Sequence, residues 1–246
     1  MHGKQFKMTI SELKDLAVEA ALKAGSFLNK SKFETKEVYK EEGRDIKLII
    51  DQDTEKLIRS NLQVTDIPIL GEEYGGDIAD GKYWVIDPID GTANYFRGLD
   101  ECCVSIALME GNEALIGVIY NFNNNQMYTA IEGHGAFLNN EKISVSEIAS
   151  KDKASITTGF PASESIESSM SFLEDLKGWK KVRMFGSAAL SCAYVASGKC
   201  DYYAEKGVYL WDVAAGICLV KEAGGCADFK PIDNERYEVV FTNNLL

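Results

Sequence analysis

Two aspartates, Asp87 and Asp90, end an apolar segment that reads WVIDPIDGT over residues 84–92. Carboxylate oxygens are ligands that Mg²⁺ prefers, and Mg²⁺ shares its coordination shell with substrate phosphate. Gly91 and Thr92 follow at a predicted helix start, where backbone N–H groups can hold that phosphate. The spacing predicts a hard-cation site followed by an anion site, although an isolated pair of this kind can equally cap a turn.

Two further acids occupy comparable positions. Glu72 follows a short apolar strand and a glycine, and Asp212 lies at the start of an apolar helix. Each has a simpler explanation, because acids at strand ends are often solvated and an acid in the first turn suits the helix dipole. Together with the central pair, they predict one metal site assembled from distant parts of the chain.

The composition excludes several classes of function. The 246 residues carry a formal net charge of −12. An acidic surface repels nucleic acid, so we expect no nucleic-acid partner. It equally repels a phosphorylated small molecule, so divalent cations are expected to offset that repulsion at the site.

Cysteine and histidine usage argues against a zinc site, since the six cysteines form no C-x-x-C pair and there are two histidines. Most of the cysteines lie in apolar segments, which predicts buried thiols in a reducing cytoplasm. No apolar run approaches the roughly 18 residues of a membrane span, so no membrane association is expected.

The elements that must position these acids follow from periodicity. Thr9 and Glu12 have the spacing of a capping box, which predicts a helix from Thr9 to Asn29. A second helix is predicted over residues 51–63. Between there and residue 145 the chain predicts mostly β-structure, including a hairpin with Asn139 and Asn140 at its tip.

Strands and helices alternate after a division placed at residue 145, which separates an α+β part (1–145) from an α/β part (146–246). One helix is predicted over residues 165–178, and another over LWDVAAGICLVKEAGG, ended by two glycines.

The segments GEE (71–73), WVIDPIDGTANY (84–95) and LWDVAAG (210–216) resemble the inositol monophosphatase family of lithium-sensitive, magnesium-dependent sugar phosphatases. The resemblance covers nearly the whole chain. It implies a layered α/β fold, a five-layered α-β-α-β-α sandwich, with two or three Mg²⁺ ions per site. It also implies a phosphorylated sugar or polyol as substrate, and a homodimer.

The resemblance also implies roles for individual residues. The metal ligands would be Glu72, Asp87, Asp90, Asp212 and the carbonyl of Ile89. One metal would activate a water, and the other would stabilise the leaving oxygen.

The catalytic set would comprise Glu72, Thr92, Asp87 and Asp51, with Thr92 orienting the attacking water. Gly91 and Thr92 would cradle the phosphate. Lys40 and Asp45 match a mobile loop of the family. The residues that match its sugar contacts are Gly186, Ser187, Ala188, Glu205 and Asp212. Arg183 could contact a second phosphate of a bisphosphorylated sugar.

One position departs from the family. Leu48 stands where a threonine is usual, so a hydroxyl that would meet an acid is missing near Asp51. The local geometry and the number of bound metals are therefore open.

Several activities remain as alternatives to hydrolysis of inositol 1-phosphate. Fructose-1,6-bisphosphatase activity is the first, and Arg183 would contact the second phosphate or pair with a surface acid. Less favoured are 3′-phosphoadenosine 5′-phosphate hydrolysis, since Lys-Glu usually follows DGT in that branch, and a non-catalytic binding role. A haloacid-dehalogenase mechanism is disfavoured, because its nucleophile lies in D-x-D-G-T whereas here the motif is D-x-x-D-G-T.

Overall fold

The computed structural model describes residues 8–32, 36–42, 45–160, 174–233 and 235–246. The described helices are α1 (Ile10–Ser31), α2 (Ile49–Leu62), α3 (Thr92–Arg97), α4 (Ala188–Ala196) and α5 (Leu210–Glu222). The described strands are β1 (Val38–Glu42), β2 (Asp45–Leu48), β3 (Ile69–Gly71), β4 (Lys82–Asp90), β5 (Cys103–Glu110), β6 (Glu113–Asn121), β7 (Gln126–Ile131), β8 (Gly135–Leu138), β9 (Glu141–Ile143), β10 (Ser155–Thr158), β11 (Lys181–Arg183), β12 (Tyr202–Tyr209), β13 (Cys226–Pro231) and β14 (Arg236–Thr242).

Two large sheets organise these strands. The first has the order β3-β4-β5-β6-β7-β8-β9 and is antiparallel except between β3 and β4. The second has the order β11-β10-β12-β14-β13 and mixes parallel with antiparallel pairs. A separate hairpin pairs β1 with β2.

The sheets and helices stack in layers, which confirms the predicted α/β layered fold. One core joins α1 and α2 to the first sheet, and a second core holds α4 and α5 with both sheets. The helix predicted over residues 165–178 falls largely on residues 161–173, outside the described residues. Among the residues described, no helix is both long and apolar enough to cross a membrane.

The two sheets fall on either side of the proposed division at residue 145, which itself stays a prediction. Residues from both sides contribute to the second core; Val85 and Ala107 precede the division, and Ala214 and Ile217 follow it. A site with residues from both parts of the chain is therefore supported by a core that the two parts share.

Side-chain hydrogen bonds cap the starts of α1 and α2. At α1, Thr9 and Glu12 form the predicted reciprocal capping box. The prediction that the next helix starts at Asp51 was wrong by two residues, because α2 begins at Ile49. The Asp51 carboxylate accepts the Leu48 N–H at 2.7 Å, so Asp51 caps from the third helical position.

The predicted Asn139-Asn140 hairpin tip is confirmed, with φ of 49° and 70°. Asparagine tolerates this left-handed region better than most residues.

Helix α5, which carries Asp212, packs on the first sheet at Gly117. A Cβ built on Gly117 would lie 2.3 Å from the carbonyl oxygen of Ala215, a backbone atom that cannot rotate away. We expect Gly117→Ala to push α5 from the sheet, with an overpacking cost of about 1–3 kcal/mol. The melting temperature should fall by about 2–12 °C, and Mg²⁺ should bind more weakly because Asp212 moves.

Gly81→Ala is the matched control, since Gly81 is exposed with no atom within 4 Å of the added Cβ. Calorimetry with and without Mg²⁺ measures both effects. Equal melting temperatures for the two variants would contradict close packing at Gly117.

Candidate active site

A bulge at the end of β4 brings two carboxylates to one side of the sheet. Residues three apart on a regular strand face opposite sides. Here Asp87 pairs with Ser105 and Asp90 with Cys103, so three steps on β4 match two on β5. Pro88, which cannot donate to the ladder, lies within this irregularity. The extra residue cancels one alternation, which aligns both side chains.

Asp212 completes a carboxylate cluster from the other part of the chain. One oxygen each from Asp87, Asp90 and Asp212 lies within 4.8 Å of the others. Strand β12 leads directly into α5, and Asp212 caps that helix by accepting the Tyr209 N–H at 2.7 Å. The predicted assembly of this site from distant segments corresponds to this arrangement.

The start of α4 holds Asp90 in place. Its carboxylate accepts hydrogen bonds from the Ser187 hydroxyl, from the N–H of Ala189 at 2.9 Å and from the N–H of Ala188 at 3.2 Å. The Cys103 thiol donates to the same group at 3.6 Å. The three α4 donors, about 100 residues away in sequence, and the Cys103 thiol on β5 together fix the orientation of Asp90.

Sequence reasoning assigned Gly186, Ser187 and Ala188 to the sugar. The structure gives Ser187 and Ala188 a contact that this reasoning missed, and the sugar contact stays a prediction. No spacing rule connects Asp90 to Ser187 across 97 residues. The residue type of Ser187 was the available signal, because serine is a favoured N-cap whose hydroxyl can also donate.

Thr92 and the Ile89 carbonyl lie beside the cluster. The Thr92 hydroxyl donates to the Ile89 oxygen at 2.9 Å, and the Ile89 N–H donates to Asp87 at 2.9 Å. Gly91 has φ of 88°, and a Cβ there would lie 2.8 Å from the Glu101 carbonyl oxygen. Glycine is therefore required where the strand turns into α3.

A buried glutamate holds the loop that carries Glu72. The Glu55 carboxylate accepts the N–H groups of Glu73 and Tyr74 at 2.7 and 3.2 Å, and Arg59 donates to it at 2.7 Å. Sequence reasoning missed Glu55, since an acid at helical spacing resembles any solvated surface residue.

Glu72 itself pairs with a lysine. Its Oε1 lies 3.1 Å from the Lys47 ammonium, which is also 3.1 Å from Glu73. The charge on Glu72 contributes to the raised pKa of both Asp87 and Asp212.

Asp51 is buried, with 2% of its surface exposed. One oxygen caps α2, and Oδ1 has no hydrogen-bond partner among the described residues. Leu48, which replaces the usual threonine, is fully buried beside it. Burial raises the pKa of Asp51 well above its ordinary value, and nearby carboxylates add to the shift.

The central carboxylates repel one another in a buried setting. Burial raises the pKa of Asp87 and of Asp212 well above the usual range, and neighbouring acids reinforce each shift. Burial also raises the pKa of Asp90, against the lowering effect of its hydrogen-bond donors. A cation bound among these groups would offset both the burial of their charges and the repulsion between them.

The remaining predicted residues lie around this centre. Burial raises the pKa of Glu205 to about 7, and its carboxylate accepts the Tyr203 hydroxyl at 3.0 Å. Arg183 is exposed on β11 and lines a cavity of about 460 Å³. Lys40 lies on β1, and Asp45 begins β2.

The donor set fits a hard cation. Three carboxylates converge, a buried Asp51 oxygen lacks a partner among the described residues, and the ligating atoms are oxygens. Oxygen-only ligation suits Mg²⁺ or Ca²⁺ rather than zinc or copper.

Comparisons with known proteins agree with this reading. The sequence model of the inositol monophosphatase family matches residues 9–231. Nus factor SuhB of Xylella fastidiosa is 41% identical over 232 residues, which span 91% of this chain and 84% of the relative. The fructose-1,6-bisphosphatase/inositol-1-monophosphatase of Thermotoga maritima is 35% identical, over 82% of this chain and 80% of that protein.

A solved structure is similar throughout. The crystal structure of extragenic suppressor protein suhB from Bartonella henselae superposes with a TM-score of 0.86 at 32% identity. It covers 94% of this chain and 93% of that one.

Proposed function

The chain belongs to the inositol monophosphatase family of phosphoric monoester hydrolases, and on that premise we propose that it is a Mg²⁺-dependent phosphatase of inositol 1-phosphate. The observation that carries the proposal is the set of three carboxylates, Asp87, Asp90 and Asp212, with oxygens within 4.8 Å of one another. No protein nucleophile is required, because such a set serves metal-assisted attack by water.

Asp87, Asp90, Asp212, Glu72 and the Ile89 carbonyl would hold the metals. Bound Mg²⁺ would act as a Lewis acid toward phosphoryl oxygens and lower the pKa of water. The α4 donors keep Asp90 oriented for this task, and Asp212 is kept in place by its cap on α5.

Thr92 would position the attacking water through the lone pairs of its hydroxyl, and Glu72, aided by Asp51, would accept the proton of that water. The Ile89 carbonyl, which accepts the Thr92 hydroxyl, orients that group. The backbone N–H groups of Gly91 and Thr92 would hold the phosphate. Water would then attack phosphorus in line, the bond between phosphorus and the sugar oxygen would break, and the departing alkoxide would take a proton from solvent water.

The sugar would contact Glu205, Asp212 and the Gly186–Ala188 segment. A carboxylate with a pKa of about 7 can accept or donate a hydrogen bond to a hydroxyl near neutral pH. Lys40 and Asp45 would act from the β1–β2 hairpin, which we propose moves over the substrate.

Fructose-1,6-bisphosphatase activity is the second candidate. The Thermotoga relative carries both activities in its name. Arg183 is exposed beside a cavity, where a guanidinium could contact a second phosphate.

We further propose that the protein is a lithium-sensitive homodimer that works in the cytoplasm. All six cysteines are unpaired, five of them buried, which suits a reducing compartment.

Phosphate release from a substrate panel tests the proposal. Inositol 1-phosphate, fructose 1,6-bisphosphate, glycerol phosphates and 3′-phosphoadenosine 5′-phosphate are compared with Mg²⁺, and again with added Li⁺. We expect Mg²⁺-dependent release that is fastest from inositol 1-phosphate and inhibited by Li⁺. Faster release from fructose 1,6-bisphosphate, lost in Arg183→Met, would favour the second candidate. No release from any compound would refute both.

A further inference from the structure

Lys47 places a positive charge at the edge of the carboxylate cluster. It lies on β2, the strand that leads into α2, and its Nζ is 3.1 Å from both Glu72 and Glu73. Its side chain is 22% exposed, so water screens these pairs only partly. The ammonium therefore occupies space between two acids of the GEE segment.

The Glu73 carboxylate has hydrogen-bond and ion-pair partners without a metal. Its side chain is 1% exposed, and its carboxylate accepts the Tyr39 hydroxyl in addition to the Lys47 ammonium. Both donors come from the β1–β2 hairpin. Glu72, by contrast, is a proposed metal ligand, and its side chain, which is 20% exposed, pairs with the same Lys47 ammonium.

Lys47 stays protonated in the neutral range. The ordinary pKa of lysine lies about three units above neutral pH, and two carboxylates at 3.1 Å favour the charged form. Two carboxylates of the GEE segment thus share one fixed cation.

A divalent ion that used Glu72 on this side would meet the ammonium at close range. Like charges at short separation in a partly buried site repel strongly. We propose that Lys47 is a tethered cation that stands in for one divalent ion at Glu72, so that the site binds two ions rather than three. This positioning role rests on the metal dependence proposed above.

Mn²⁺ binding to the metal-stripped full chain tests the inference. Equilibrium dialysis and calorimetry give the number of ions and their dissociation constants for the wild type and for Lys47→Met, Lys47→Arg and Lys221→Met. Lys221→Met removes an equal charge at an exposed pair with Glu113 and is the control.

We expect two Mn²⁺ ions per wild-type chain. Lys47→Met should bind a third ion, because the loss of the repelling charge should raise the affinity for an ion at Glu72 about tenfold. Lys47→Arg and the control should match the wild type. The double variant Lys47→Met/Glu73→Gln, which removes one charge of each sign, should return to within about threefold of wild-type affinity.

The outcomes separate the two proposals. No Mn²⁺ binding by the wild type would refute the metal-dependent function. Two ions of unchanged affinity in Lys47→Met would refute only the role of Lys47. If metal-free Lys47→Met does not fold, its melting temperature is titrated with Mn²⁺, and a rise no steeper than that of the wild type contradicts the inference.

Discussion

Asp87→Asn is expected to abolish hydrolysis while it stabilises the metal-free protein. Asp87 is buried, its backbone is fixed in the β4 bulge, and its carboxylate belongs to the three-acid cluster. An amide would ligate a hard cation poorly, so kcat/KM should fall on the order of a thousandfold or more.

The stability change should have the opposite sign. Burial, with repulsion from Glu72, Asp90 and Asp212, raises the pKa of Asp87. The charged form is therefore costly without a cation, and the amide removes that cost. We expect the metal-free melting temperature to rise by about 2–4 °C for each kcal/mol of repulsion lost.

Asp228→Asn is the matched control, because Asp228 is exposed on β13 and loses the same charge. Phosphate release and calorimetry without metal measure the two effects. Retained activity in Asp87→Asn would remove Asp87 from the mechanism. Lost activity with a lowered metal-free melting temperature would make Asp87 a structural residue.

The metal-free protein is expected to lose stability as pH rises from 5 to 8. The pKa values of Asp51, Asp87, Asp90 and Asp212 are raised in the folded state, and burial raises that of Glu205 to about 7. The folded state thus binds more protons than the unfolded state, whose carboxyl groups titrate near pH 4.

Stability from these groups is therefore present in full below about pH 4 and is lost as pH rises through the raised values. Between about pH 4 and its own raised pKa, each such group lowers the free energy of unfolding by about 1.4 kcal/mol per pH unit. For Glu205 the loss is complete a little above pH 7.

Mg²⁺ should reverse this trend, because carboxylates must lose protons to bind metal. At a concentration of 100 times Kd, a ligand stabilises by about 2.7 kcal/mol. That corresponds to a rise in melting temperature of about 5–10 °C at pH 8, with little change at pH 5. KCl at matched ionic strength controls for screening. Equal melting temperatures with and without Mg²⁺ at pH 8 would contradict the clustered-acid account.

The elements of this fold were largely predictable from sequence. The capping box of α1 and the Asn139-Asn140 turn depend on residues close together in the chain, so local patterns suffice. The start of α2 was missed because Asp51 acts at the third helical position rather than at the cap.

In the candidate site, too, local features were predictable and long-range contacts were not. The spacing of Asp87 and Asp90 suggested a metal site, but their alignment depends on the β4–β5 register, which a single strand does not reveal. The donors on Asp90 lie about 100 residues away, at the start of α4.

Lys47 and Glu55 were missed for a related reason. Their roles come from tertiary contacts with the GEE segment rather than from their own neighbours in sequence. A lysine on a short strand and an acid on a helix are ordinary surface residues until the fold brings them to that segment.

We propose that this carboxylate cluster performs Mg²⁺-dependent phosphate hydrolysis. A Mg²⁺ titration of phosphate release from inositol 1-phosphate by EDTA-treated protein tests it most directly. We expect no release without metal and a rate that rises with Mg²⁺ to saturation. Release that is unaffected by EDTA, or absent at every Mg²⁺ concentration, would contradict it.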